Sequence, residues 1–416
     1  MSYQSEKPLE RILFVEYAVG FGGSLRSLSE LYKGLQDSGL TDNKVLLFQN
    51  SDSVNALYPK EHIINRKRRF NYLLKSRWLN FFNGLKIMRK VGAITYSFLD
   101  YLYSYLMSYK IYRVIKSYRI NLLHLNNGYM YDGIRAAEWA KIPVVIHYRG
   151  FASESDFSRK INEKNTKIPE NCLCIGISNA VTKSIQSVGI PKQQIATIYN
   201  PITQPSISEQ ARESIRNKYS VSDNELVYSI FGRITQWKGQ LEFCQAITPI
   251  LLANKTAKVL IVGDATDSAD DSYLKSILSH IESNNLQQQI ILTGFQSDVY
   301  SYYSASDVIV HNSLHPEPFG RVIIEGMICK KLVIAANEGG PSEIISHGKD
   351  GLLFEPRDSK SLQKALEKSI NDTELRQKIG DEAYNTAQEY LTDAITRKVI
   401  QAYRSHLSLK VDDHVY

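Results

Sequence analysis

The chain has few of the residues on which small secreted or metal-stapled proteins depend. Its 416 residues include four cysteines (Cys172, Cys174, Cys244, Cys329), none in a C-x-x-C pair. A secreted disulfide scaffold is therefore excluded. Cys172 and Cys174 alternate in an apolar run and read as small buried side chains of a strand, which fits a reducing compartment. The opening Met-Ser-Tyr-Gln-Ser-Glu-Lys lacks the basic-then-apolar form of a signal peptide, so a cytoplasmic protein is expected. There is no short-period repeat or low-complexity tract. Residues 91–109 reach membrane-spanning length, but Asp100 sits at their centre among many hydroxyl side chains, which argues against a span. The acids Asp264, Asp267, Asp270 and Asp271 match neither a calcium loop nor a D-x-D metal turn. A solvated surface loop is expected there, and no metal.

What is present is an ordinary globular composition, 43% hydrophobic and 22% charged, at a length that suggests two domains. The net charge of +7 hides an asymmetry. Residues 1–200 hold 28 Lys and Arg against 15 Asp and Glu, while residues 201–416 hold 22 against 28. Most of the excess lies in residues 60–119, with 14 basic side chains and only Glu61 and Asp100 as acids. The same stretch carries 13 aromatics, among them Phe70, Tyr72, Trp78, Phe81, Phe82, Tyr96, Phe98, Tyr101, Tyr103, Tyr105 and Tyr109. Aromatics beside Lys and Arg suit a membrane–water interface, and each basic side chain near an anionic leaflet contributes about 1 kcal/mol. The Arg-Lys-Arg-Arg run at 66–69 alone could hold the protein loosely. A solvated basic face over aromatic core residues is the competing reading. Nucleic acid is not expected, because no recognition motif accompanies the charge.

Short apolar, β-branched runs alternate with helical stretches throughout. They fall at 12–17, 45–48, 121–125, 144–148, 172–178 and 196–199, then at 226–234, 258–262, 289–294, 307–311, 332–336 and 351–354. Near-continuous apolar strands separated by helices imply parallel sheets covered on both faces. The expected fold class is α/β, with two doubly wound, Rossmann-like domains joined near Asn200-Pro201. Ligands of such sheets sit beyond the strands' carboxyl ends, so a site in the cleft between two facing domains is expected.

The chemistry concentrates at glycine-marked turns. After the first strand comes Gly20-Phe21-Gly22-Gly23-Ser24, followed by Leu25, Leu28, Leu31 and Leu35 at helical spacing. Glycines there let an anion approach the backbone at a helix start. The spacing is not G-x-G-x-x-G and no acid follows about 20 residues on, so a nicotinamide dinucleotide site is not indicated. A plain tight turn is the alternative. In the second half, Gly232-Arg233-Ile234 and Trp237-Lys238-Gly239 follow a strand. Then come His315-Pro316-Glu317-Pro318-Phe319-Gly320-Arg321, Glu325-Gly326 and the loop Glu338-Gly339-Gly340-Pro341-Ser342-Glu343. Arg, Lys and glycine-opened helix starts at strand ends are what a diphosphate needs.

This set resembles the family 4 retaining glycosyltransferases of GT-B fold. It matches their GR…KG segment, their E-x7-E motif with Pro-Phe-Gly inside it, and the GG.sE loop that follows. The resemblance is strongest over 226–356 and extends to Gly22-Gly23, His147 and Asn200-Pro201. It implies an acceptor-binding domain over 1–200, a nucleotide-sugar-binding domain over 201–390, and a C-terminal helix in 391–416 packing back across both. It also implies that Arg233 and Lys238 hold the donor diphosphate, that Glu325 accepts from the ribose hydroxyls, and that Glu317 contacts the transferred sugar. Backbone N–H groups around Phe319, Gly320 and Arg321 would assist, Gly22 and Gly23 would close on the phosphates, His147 would lie near the sugar, and Phe295 would flank the base. Plainer roles compete with these: surface cations for Arg233 and Lys238, an ion-pair partner of Arg321 for Glu325, and a hydrogen-bonded structural histidine for His147.

The implied activity is a cytoplasmic, metal-independent transfer of a hexosyl or N-acetylhexosaminyl group from a nucleotide-diphosphate sugar, with retention and without a cofactor. The acceptor would be lipid-linked or another membrane-associated glycan, with peripheral contact to an anionic membrane through 60–119. Transfer to a soluble acceptor, epimerisation of a nucleotide sugar on the same fold, and non-catalytic binding are the alternatives.

Overall fold

The computed structural model describes residues 11–17, 22–48, 51–65, 86–128, 130–152, 168–265 and 271–408. The 66–69 basic run, Phe70, Tyr72, Trp78, Phe81, Phe82, Gly20, Phe21, Asp267 and Asp270 lie outside the described residues. The chain divides into two compact units, one of residues 1–199 with 395–416, the other of residues 200–394.

The first unit contains a seven-stranded parallel sheet of β1 (Arg11–Glu16), β2 (Asp42–Leu47), β3 (Ile63–Asn65), β4 (Leu122–Leu125), β5 (Val144–Tyr148), β6 (Cys172–Gly176) and β7 (Ile195–Thr197). Its order is β3-β2-β1-β4-β5-β6-β7, so the chain reverses direction across the sheet between β1 and β4. Six of these strands coincide with apolar runs in the sequence. β3 does not: it is three residues long at the sheet edge, too short to leave a pattern. The central strands are buried on both faces, as their unbroken apolar sequence requires. Leu25, Leu28, Leu31 and Leu35 of the helix Gly23–Asp37 pack on this sheet beside Phe14 and Val145. The C-terminal helix Thr392–Ser408 adds Ile395, Val399, Ile400 and Tyr403 to the same core. Each such side chain contributes about 1.5–3 kcal/mol when fully buried.

The second unit contains a six-stranded parallel sheet of β8 (Leu226–Phe231), β9 (Ala257–Val262), β10 (Ile290–Gly294), β11 (Val308–His311), β12 (Leu332–Ala336) and β13 (Leu352–Phe354). Its order, β10-β9-β8-β11-β12-β13, reverses between β8 and β11. Phe243, Ile247, Ile277 and Leu366 from covering helices meet Ile261, Val310 and Ile334 in its core. All four cysteines are free and buried. No helix among the described residues is long and apolar enough to cross a membrane.

Candidate active site

In an open parallel sheet the loops at the order reversal splay apart and leave a crevice at the strands' carboxyl ends. In the second unit that point is the end of β8 and β11, and the sequence motifs gather there. β8 runs into Gly232, whose φ of +134° and open side toward the Lys238 side chain leave room beside it. Gly263, ending β9, presses against the Gly232 carbonyl so closely that a Cβ would stand 1.9 Å from its oxygen. Arg233 follows, exposed, with its carbonyl fixed by Gln240 Nε2 at 2.9 Å. Its guanidinium has no ion-pair partner among the described residues.

Lys238 closes the short turn Gln236–Lys238. The next residue, Gly239, has φ +64°, and a Cβ there would come within 2.2 Å of the Asn312 carbonyl oxygen. Asn312 Nδ2 in turn donates to the Gly239 carbonyl at 2.8 Å, and the Leu314 N–H donates to the Trp237 carbonyl at 2.8 Å. These bonds seat the lysine turn on the segment leaving β11. As a result Lys238 Nζ stands 2.6 Å from Glu317 Oε2. Ser313 Oγ donates to the same oxygen at 3.1 Å, and His311 Nε2 lies 3.4 Å from it. Burial opposes charge on Glu317, but the His311 and Lys238 contacts outweigh it and hold the carboxyl well below the usual carboxylate range. It is ionised at neutral pH.

The Gly339-Gly340 pair has a mechanical role. A Cβ on Gly339 would stand 2.4 Å from the Glu317 carbonyl oxygen, and one on Gly340 would stand 2.2 Å from that of Phe319. The Gly340 N–H donates to the Glu317 carbonyl at 2.8 Å. The loop thus clamps the backbone that carries Glu317. Phe319 is buried near Tyr390, so only its backbone faces the turn chemistry. Gly320, φ +97°, caps the helix Arg321–Ile328 without a side-chain bond.

Glu325 lies one turn along that helix, buried. Arg321 Nη2 donates to its Oε1 at 3.0 Å and Tyr303 Oη to its Oε2 at 3.0 Å, while Arg321 Nη1 holds the Pro201 carbonyl at 3.0 Å. The ion pair with Arg321 exists, and the Tyr303 hydroxyl shares the carboxylate with it. Burial, followed by the Glu325 charge, pushes the Tyr303 phenol well above its ordinary range, so it donates rather than accepts. Phe295 is 68% exposed just beyond β10.

In the first unit the order reversal lies between β1 and β4. Gly22 has extended backbone and nothing within 4 Å of a built Cβ, so neither turn geometry nor packing calls for glycine there. With Gly23 it opens a helix N-terminus that is exposed. Beneath lies a buried polar chain: Arg149 Nε donates to Asn126 Oδ1 at 2.8 Å, and Asn126 Nδ2 donates to Glu16 and to Ser24 Oγ. His147 is wholly buried, its Nδ1 3.3 Å from His124 Nε2, and His124 Nδ1 pairs with Tyr403 Oη. Burial, then Arg149, drives the His147 and His124 imidazoles well below their ordinary range, so both are neutral. The structure therefore gives His147 an interior hydrogen-bonded position.

Two family models match the chain. "Glycosyltransferase Family 4" covers residues 21–203 and "Glycosyl transferases group 1" covers residues 211–386. The chain belongs to the group 1, family 4 glycosyltransferases. Among curated relatives, this glycosyltransferase-family chain is 23% identical over 238 residues to the N-acetyl-alpha-D-glucosaminyl L-malate synthase of Bacillus anthracis, covering 57% of this chain and 60% of that one. It is 27% identical over 213 residues to the capsular polysaccharide biosynthesis glycosyltransferase CapM of Staphylococcus aureus, covering 50% of this chain and 54% of that one. The chain thus spans little more than half the length of these relatives. Anabaena HepE, solved in complex with UDP and glucose, superposes with a TM-score of 0.76 at 23% identity, covering 95% of this chain and all of that one. The fold is GT-B.

Sequence reasoning missed His311, Ser313, Asn312, Tyr303 and Arg149. His311 carried a usable signal: it is the last residue of an apolar strand, where the ligand side begins. Tyr303 lies inside a tyrosine-rich helix, and only the fold distinguishes it from Tyr300 and Tyr302. Among the described residues no cluster of three or more His, Cys, Asp or Glu could hold a metal ion.

Proposed function

We propose that this glycosyltransferase moves a hexosyl or N-acetylhexosaminyl group, with retention and without a metal, from a nucleotide-diphosphate sugar to a lipid-linked or other membrane-associated glycan. The observation that carries the reading is the Lys238–Glu317 pair, supported by His311 and Ser313 beside the exposed Arg233 at the order reversal of the second sheet. Without donor, the lysine and the carboxylate neutralise each other. A diphosphate arriving at this point draws Lys238 and Arg233 to its oxygens, and Glu317, still charged, turns its free lone pairs to sugar hydroxyls.

Cleavage of the C1–diphosphate bond builds negative charge on the leaving group. Lys238, Arg233 and the N–H groups opening the helix at Arg321 stabilise it, a term that is usually the largest in such catalysis. The acceptor hydroxyl bonds to C1 on the face the diphosphate leaves, and its proton passes to the departing diphosphate oxygen. Glu325, oriented by Arg321 and Tyr303, accepts from the two ribose hydroxyls. Gly22 and Gly23 present bare backbone for an anion. The capsular polysaccharide role of CapM and the UDP complexes of HepE support polysaccharide assembly and a uridine nucleotide as first choices. The basic aromatic stretch 60–119 supports a peripheral anionic membrane as the place of work.

The test is transfer or slow hydrolysis with UDP-, GDP- and ADP-sugars, with EDTA present and membrane lipid extract as acceptor. Labelled product of retained anomeric configuration in the lipid fraction is expected. Turnover only with soluble acceptors, turnover abolished by EDTA, or interconversion of the donor sugar without any acceptor would each overturn the corresponding part.

A further inference from the structure

The helix Lys86–Ser117 has its faces assigned in an unusual way. Toward the protein it buries Ser104, Met107, Ser108, Ile111, Val114 and Ile115. That face is pinned by polar bonds: Ser104 Oγ donates to Asp132 Oδ1 at 2.5 Å, and Arg135 Nη1 donates to Ser104 and Ser108 at 3.0 and 3.3 Å. A helix covering a soluble sheet should then turn a polar face to water. This one turns outward Phe98, Leu102, Tyr105, Leu106 and Tyr109, spaced so that they line one stripe, with Phe98 61% and Leu106 59% exposed. Exposed Trp139 of the neighbouring helix widens the stripe, its ring 6.2 Å from that of Tyr105. A contiguous apolar surface of this kind marks an interaction site.

Charge identifies the partner. Lys86, Arg89 and Lys90 lie at one end of the helix and Lys110, Arg113 and Lys116 at the other, against one acid, Asp100. Lys110, Arg113 and Lys116 are exposed, and Arg113 and Lys116 prolong the stripe by helical spacing. A second copy packed antiparallel on this face would set basic end against basic end, which is unfavourable. An anionic bilayer surface meets both ends with opposite charge and takes the rings between them at headgroup depth.

We infer that the outward face of Lys86–Ser117, with Trp139, is an interfacial helix that lies flat on anionic lipid. This rests on the membrane contact proposed above and moves its centre from the 66–69 basic run to an apolar stripe. Insertion of rings, unlike charge alone, survives salt.

The test is co-sedimentation of the full chain with vesicles of phosphatidylglycerol mixed with phosphatidylcholine, and of phosphatidylcholine alone, at low and high salt. The wild type is expected to bind the anionic vesicles and to keep part of that binding at high salt. The combined Phe98→Ser, Leu102→Ser, Leu106→Ser variant is expected to partition at least about tenfold more weakly while keeping a native circular dichroism spectrum, because these side chains are about half exposed. Lys110→Ser with Arg113→Ser should weaken binding mainly at low salt. Serine variants that bind like the wild type would overturn the assignment of this face and leave the membrane reading standing. A wild type that binds neither vesicle would overturn both. A wild-type dimer that Leu106→Ser dissociates would make the face a contact between copies instead.

Discussion

Gly340→Ala separates a phosphate turn from a backbone clamp. Gly340 has ordinary helical backbone angles, so alanine adds no φ strain and even removes some unfolded-chain entropy, a gain of about 0.4–1 kcal/mol. Its Cβ, however, would stand 2.2 Å from the Phe319 oxygen and 2.5 Å from the Phe319 Cα, both backbone atoms that no rotamer change can move. The two segments must part by roughly 1 Å, which as overpacking costs about 1–3 kcal/mol. The 2.8 Å bond from Gly340 N–H to the Glu317 carbonyl is lost, about 0.5–1.5 kcal/mol more. Central values net to about 2 kcal/mol, or a fall of roughly 4–8 °C in the melting of a unit this size. Glu317 moves with its backbone, so kcat/KM should fall as well. Gly22→Ala is the counterpart: its backbone is extended and nothing lies within 4 Å, so stability should stay within about 0.5 kcal/mol while donor affinity drops. Scanning calorimetry and donor titration of the two variants read both effects. A Gly340→Ala protein that melts and turns over like the wild type would refute the clamp.

Lys238→Ala and Glu317→Ala should each abolish transfer while circular dichroism stays native; wild-type turnover in either would remove the pair from the site. Glu317 is depressed below its ordinary range, so its contribution to stability is fully present above about pH 4.3 and is lost as pH falls through the lower folded value. The stability difference between wild type and Glu317→Gln should therefore be constant from pH 8 to 5 and shrink below about pH 4 in urea titrations. His124 and His147 are buried neutral, so the unfolded chain binds more protons once pH drops below about 6.5. Stability should then decline by up to about 1.4 kcal/mol per pH unit for each histidine. A His147→Gln variant with an unchanged slope between pH 6.5 and 5 would contradict the neutral pair. Tyr303→Phe removes one donor to Glu325 and should weaken nucleotide binding by roughly tenfold without lowering kcat, as read by calorimetry and steady-state rates.

Twelve of the thirteen described strands could be read from the sequence, because a strand buried on both faces must be apolar almost throughout. The edge strand β3 could not, since three residues carry no period. The family was legible because its chemistry sits in short runs, Gly232-Arg233, Lys238-Gly239 and Glu317 through Gly320, where residue types and order suffice. Their partnerships were not. Lys238 and Glu317 are 79 residues apart, and only the order reversal between β8 and β11 brings them to 2.6 Å. The same glycine letter means open space at Gly22 and backbone contact at Gly340, a distinction that depends on what lies opposite. His147 stands at a strand end, and only the fold shows that the neighbouring strand sets His124 beside its Nδ1 and the C-terminal helix sets Tyr403 beside His124. Aromatic residues in 98–109 have an apolar pattern in either environment; the buried serines bound to Asp132 and Arg135 decide that the rings face outward. Local composition sets which elements form, because burial and backbone preference act on neighbours in sequence. The tertiary structure sets which side chains share an environment, because hydrogen bonds and ion pairs act over a few ångströms regardless of separation along the chain.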